Sequence, residues 1–226
     1  MTDADSVAAA GERVREATAG GGLAALVNNA GIAVTAPLEF VPIPEFRNQL
    51  EVNVIGQVAV TQALLGSLRA ARGRIVNVSS IGGRIALPLA GPYAASKFAL
   101  EAISDSLRRE LRHLGVKVIV VEPGGVKTPI WEKGTETADA MLADAPPEAE
   151  TLYGGLTKAL RAEAEKIAND TGVEPEVVAK AIGSSLTAER PKTRYLVGTD
   201  AKTRDAANRV LPDKAFDALI ARTLKP

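Results

Sequence analysis

The stretch from Gly73 to Pro123 leaves a chain like this few ways to fold. Ile75-Val76-Asn77-Val78 and Val116-Lys117-Val118-Ile119-Val120-Val121 read as buried strands, the second dominated by β-branched residues. Between them Leu100, Ile103, Leu107, Leu111 and Leu114 step at helical spacing. Strand, helix and strand in this order predict parallel strands joined by a right-handed crossover. In open sheets of that kind, ligands bind at the carboxyl ends of the strands. Ser79 and Ser80 close the first strand, and Tyr93-Ala94-Ala95-Ser96-Lys97 opens the helix.

Those residue types suit acid/base chemistry. Tyr93 and Lys97 are four apart, so in the first turn of a helix they share one face. A free phenol ionises near ~10 and is a poor base at neutral pH. A cation nearby favours the phenolate. A strand-end serine can hold a carbonyl or alcohol oxygen while the phenol gives or takes its proton, which fits hydride exchange when a redox cofactor is present. The Tyr-x-x-x-Lys pair alone equally describes an ordinary exposed helix start, so its neighbours decide.

The strand Leu23–Val27 runs into Asn28-Asn29-Ala30-Gly31, and Asn53 sits inside a long helical stretch. Ser80 precedes Tyr93 by thirteen residues, and Pro123-Gly124-Gly125-Val126-Lys127-Thr128 follows the next apolar run. Taken together, these four motifs in this order resemble the short-chain dehydrogenase/reductase family over most of the chain. The resemblance implies a Rossmann-like three-layer α/β/α fold around a parallel sheet and an oxidoreductase using NAD or NADP on a small-molecule alcohol or carbonyl substrate. Tyr93 would be the general acid/base. Lys97 would bind the nicotinamide ribose and lower the tyrosine pKa. Ser80 would orient the substrate oxygen, with Ser79 the neighbour to rule out. Asn53 would hold a water in the proton relay, against the alternative of a helix asparagine bonding its own backbone. Asn28, Ala30 and Gly31 match the turn beside the adenosine ribose; Pro123, Gly124, Val126 and Thr128 match the segment beside the nicotinamide.

Composition narrows the alternatives. With 226 residues the chain can bury a sizeable core as a single domain. Its 27 basic and 27 acidic residues cancel, giving no electrostatic case for nucleic acid or an anionic membrane. No cysteine is present, which removes disulfides and thiolate nucleophiles, and the single histidine leaves too few ligands for a zinc-dependent dehydrogenase. His113 falls in a basic last turn before Gly115, where positive side chains complement the helix dipole. No apolar run approaches the length of a membrane span and no signal-peptide core opens the chain, so it reads as soluble and cytoplasmic.

In chain order, a helix is expected over residues 3–19, capped by Asp3 or Asp5. Gly20-Gly21-Gly22 precedes a strand, so it is a loop and no phosphate-binding turn. One long helix is expected over Glu45–Ala71 and another over Tyr93–Leu114. Residues 127–153 read as a polar, irregular loop, and the resemblance implies that it covers the substrate, with Trp131 facing it. Helices follow over 156–168 and 175–186, then a short strand over 193–198 and a helical tail from Ala201.

The departure from the family pattern lies at the start. The glycine-rich strand–turn–helix that cradles the pyrophosphate is not found before Leu23, so the chain reads as N-terminally truncated, with strands 4-5-6-7 of the family order remaining. On that reading Leu23–Val27 becomes an open sheet edge, and the chain is marginal or inactive. Two other readings stay open: a non-catalytic remnant that acts as an interaction partner, and an isomerase or dehydratase. The NNAG and PGGVKT segments argue against the latter. The residues 191–198 and Leu211-Pro212-Asp213-Lys214 look like branches acting on bulky lipophilic alcohols. A homodimer or homotetramer through the two long helices fits the resemblance, although core packing explains the same apolar stripes.

Overall fold

In the computed structural model, which describes residues 1–224, four parallel strands lie side by side in chain order. They are β1 (Ala25–Asn28), β2 (Arg74–Val78), β3 (Lys117–Pro123) and β4 (Arg194–Val197). Side chains alternate across the sheet, and both faces are covered. Ile75 and its register partner Val118 point to the helices α3 (Gly56–Ala70) and α4 (Gly91–Glu110), where Leu64, Leu68 and Leu111 complete a core. Val76 and its partner Ile119 point the other way, to Val178 of α7 (Pro175–Thr187). Full burial of such side chains contributes about 1.5–3 kcal/mol each. This is the Rossmann-like α/β architecture expected from the sequence.

Helix α1 (Ala4–Ala17) starts as its sequence implies: Asp3 accepts a hydrogen bond from the Ser6 amide at 2.6 Å. Gly115 ends the segment after α4 with φ 79°, the left-handed conformation that a glycine accepts most readily. The outer edge of β1 pairs with no other strand among the described residues.

Two expectations are corrected. The long helix over Glu45–Ala71 is not continuous: α2 (Ile43–Leu50) passes into α3 through a π-helical turn at Glu51–Ile55. Residues 127–153 are not an irregular loop. They hold α5 (Ile130–Ala143) and the start of α6 (Glu148–Lys166), and α5 buries Gly134, Ala138 and Met141. That stripe is made mostly of small residues, which a search for large apolar side chains passes over. The tail is helical as expected, in α8 (Thr199–Val210) and α9 (Asp213–Thr223); its last two residues, 225 and 226, lie outside the described residues.

Candidate active site

The carboxyl ends of β1, β2 and β3 open into one cavity of about 990 Å³. Ser80, Tyr93 and Lys97 line it together with Pro123, Gly124, Val126, Thr128 and Trp131. Three segments bring the first three together. Ser80 ends β2 and caps a 3-10 turn over Ile81–Gly83, accepting from the Gly82 amide at 3.0 Å. Tyr93 sits in the first turn of α4, behind Pro92, whose fixed φ suits a helix start. Gly82 makes the approach possible: a Cβ there would lie 3.1 Å from Tyr93 Cε1.

Lys97 is buried one helical turn on. Its ammonium donates to the Val78 carbonyl at 2.9 Å and lies 5.8 Å from the centre of the Tyr93 ring. Burial lowers the Lys97 pKa to about 8, while the Glu101 carboxylate works in the opposite direction. The Tyr93 phenol is pushed up by burial, with the Ser80 hydroxyl pulling it partly back. This differs from the expectation that the lysine lowers the phenol: desolvation outweighs any help from a cation that is held on a backbone carbonyl.

The nicotinamide-side segment is braced from behind. Gly124 donates to the Val197 carbonyl at 2.9 Å, and Gly125 donates to Asp200 Oδ2 at 2.8 Å. A Cβ on Gly124 would collide with the Asp200 carboxylate, and one on Gly125 would lie 2.6 Å from Ile167 Cγ2. Neither position has room for a side chain. Trp131 Nε1 donates to the Val126 carbonyl at 2.7 Å, so the indole is anchored as it lines the cavity.

The turn after β1 is divided. Asn29 and Gly31 line the cavity, whereas Asn28 and Ala30 do not. Asn28 is buried beneath the turn and donates to Thr61 Oγ1 at 3.0 Å and Asn77 Oδ1 at 2.9 Å. Asn53, in the π-helical turn, is also turned inward. Its amide nitrogen donates to the Ile32 carbonyl at 2.9 Å and to Ser96 Oγ at 3.1 Å, and its oxygen accepts from the Ile32 amide at 2.9 Å. Both amide protons are therefore engaged by the protein.

Several site residues escaped the sequence reading. Gln49 accepts from the Val34 amide at 2.6 Å and donates to the Ile32 carbonyl at 2.9 Å; Gln57 donates to the Ala30 carbonyl at 2.9 Å. With Asn53 they form a polar stripe spaced by four, which was the available signal. Behind Lys97 lies a set of charges from distant segments. Arg84 meets Glu122 at 2.6 and 3.1 Å and Asp205 at 2.8 Å. Arg194 meets Glu101 at 3.1 Å and Asp105 at 2.8 Å. Burial pushes the Glu122 carboxyl up to about 7; Arg84 opposes the rise and the neighbouring Glu101 adds to it. Among the described residues no helix is long and apolar enough to cross a membrane, and no group of three His, Cys, Asp or Glu side chains is placed to hold a metal ion.

A parallel sheet with a tyrosine, a lysine and a serine converging at its strand ends defines a candidate oxidoreductase of the nucleotide-binding type. Residues 1–139 match the family model for short chain dehydrogenases. The chain is 38% identical over 229 residues to an NADPH-dependent 3-dehydrocapnine reductase of Ornithobacterium rhinotracheale, covering 99% of this chain and 78% of that protein. It is 40% identical over 231 residues to human retinol dehydrogenase 5, covering 99% of this chain and 72% of that one. Among solved structures, a short-chain dehydrogenase from Streptomyces avermitilis superposes with a TM-score of 0.74 at 27% identity, over 98% of this chain and 75% of that one. The chain belongs to the short-chain dehydrogenase family, whose members are oxidoreductases acting on CH–OH groups.

Proposed function

We propose that the protein interconverts a bulky, lipophilic secondary alcohol and its carbonyl, with NAD or NADP as the hydride carrier. The observation that carries this reading is one cavity in which Ser80 and Tyr93 meet walls formed by Ile85, Leu87, Leu142, Leu160, Leu219 and Ile220. Such walls favour a largely apolar ligand, and the two hydroxyls give its single oxygen a place to bind. The relative named as a retinol dehydrogenase supports the lipophilic character of the substrate, its own alcohol being primary, and the NADPH-dependent reductase supports the cofactor.

The nicotinamide cofactor, when bound, supplies or accepts the hydride. In the reductive direction Tyr93 gives its phenolic proton to the carbonyl oxygen while Ser80 donates a hydrogen bond to the same atom. In the oxidative direction Tyr93 takes the proton back. Lys97 offers its ammonium to the ribose hydroxyls, and its charge opposes, without outweighing, the effect of burial on the phenol. Gly124, Val126 and Thr128 line the cavity beside β3, where the nicotinamide would lie. Gly31 and Asn29 serve the adenosine side.

The test is a fluorescence titration of NADH and NADPH against the 226-residue chain, followed by a turnover screen of small against long-chain and polycyclic alcohols. Binding in the micromolar range and turnover of the lipophilic members support the reading. Failure of both cofactors to bind would overturn it for this chain, and turnover confined to small polar alcohols would overturn the substrate class.

A further inference from the structure

The charges behind Lys97 are not used by the chemistry proposed above, and they are unusually deep. Glu122 has no exposed surface and Glu101 is buried on α4, one turn beyond Lys97. Glu101 Oε2 takes the Arg194 guanidinium at 3.2 and 3.1 Å, but Oε1 is buried and has no hydrogen-bond donor. A buried carboxylate oxygen with no donor is costly, because water no longer solvates it. Glu122 is held from one side by Arg84 and shares the Arg194 guanidinium with Glu101: Arg194 Nε lies 3.2 Å from Glu101 Oε2 and 3.5 Å from Glu122 Oε1. Two buried carboxyls gathered on one guanidinium nitrogen both stay ionised only at a penalty, and a proton between them supplies the donor that Oε1 lacks.

The groups facing this pair are Lys97 and Asp105 from α4, Arg84 from the segment after β2, Arg194 from β4 and Asp205 from α8. Arg108 also pairs with Asp105 at 3.0 Å, and the more exposed Arg109 and Arg209 reach Asp105 and Asp205 from the solvent side.

We infer that Glu101 and Glu122 share a single proton, and that Glu101 is the positioning residue that keeps the Lys97 ammonium charged within its buried site. The ammonium has one protein acceptor, the neutral Val78 carbonyl, and Glu101 is the carboxylate one turn away on the same helix face. The pair reaches the reaction only through Lys97, so its role in catalysis rests on the oxidoreductase reading, while its protonation does not.

The experiment follows carboxyl and lysine resonances in the full chain, labelled with ¹³C at the glutamate carboxyls and at the lysine Cε, from about pH 5 to about pH 10. One glutamate carboxyl is expected to titrate near neutrality, to be lost in Glu122→Gln and to move acidward in Glu101→Gln. Wild-type glutamates that all titrate in the ordinary carboxylate range would overturn the shared proton, whatever the variants do. The Lys97 resonance is expected to titrate about one unit lower in Glu101→Gln, and Glu101→Asp should restore most of the shift. An unchanged Lys97 midpoint would overturn the positioning role. Neither readout needs turnover. A chain that fails to bind NADH or NADPH refutes the oxidoreductase reading alone, and these resonances still decide the pair.

Discussion

Arg84 and Glu122 form a two-pronged ion pair, 2.6 and 3.1 Å across, that ties the segment after Ser80 to the residue before Pro123. Glu122 is fully buried, so removing its partner strands a charge or forces a proton onto it. Arg84→Ala should cost about 3–5 kcal/mol of stability, read from urea unfolding. Replacing both residues with leucine and methionine should recover much of that loss. A single variant as stable as the parent would show that the pair is not engaged in solution.

Tyr93→Phe removes the proton that the proposed reaction moves and leaves the ring packed against Gly82. Turnover should fall on the order of 100- to 10,000-fold, with cofactor affinity nearly unchanged. Retained turnover would assign the acid/base role elsewhere.

The pH dependence of stability should show a trough near neutrality. Lys97 ionises at about 8 when folded and at the ordinary lysine value when unfolded, so above about 8 the unfolded chain binds the extra proton and stability rises with pH. From the 10.5 reference, the full rise is about 3 kcal/mol. Glu122 acts in the opposite sense: its folded value is raised to about 7, so its contribution is present in acid and is lost as pH climbs through that value. Above about 10 the raised Tyr93 phenol also opposes the lysine. Chemical denaturation across this range checks the shape, and Lys97→Met should flatten its alkaline arm.

Asn53→Leu should release Ile32. The substitution leaves the Ile32 amide and carbonyl without the contacts that Asn53 makes to both. A loss of about 1–3 kcal/mol is expected, with faster amide exchange at Ile32 and little change in β3. Exchange that speeds up uniformly would mean that the asparagine supports the whole fold instead of one loop.

What could be read in the sequence was whatever rests on local pattern. The β-branched run at Val116–Val121 announces β3, and the leucine stripe announces α4. Tyr93, Lys97 and Ser80 were legible because spacing along a helix and position at a strand end are local properties. The π-helical turn was not, since Glu51–Ile55 carries no residue that separates it from an α-helix. Nor were Arg84, Glu122 and Arg194 legible, because each acquires its role from partners far away in the chain. Asn28 shows the limit from the other side: its motif was visible, but the turn of the strand decides that its amide faces Thr61 and Asn77.

The stripe of Gln49, Asn53 and Gln57 has one more consequence. The backbone of Ala30, Ile32 and Val34 is held by helix side chains, so the loop takes its shape as the protein folds and not when a ligand arrives. A molecule that lies along this wall meets a surface with little freedom left to lose. Recognition there depends on fit from the first encounter, and a poorly matched ligand cannot be accommodated by remoulding the wall.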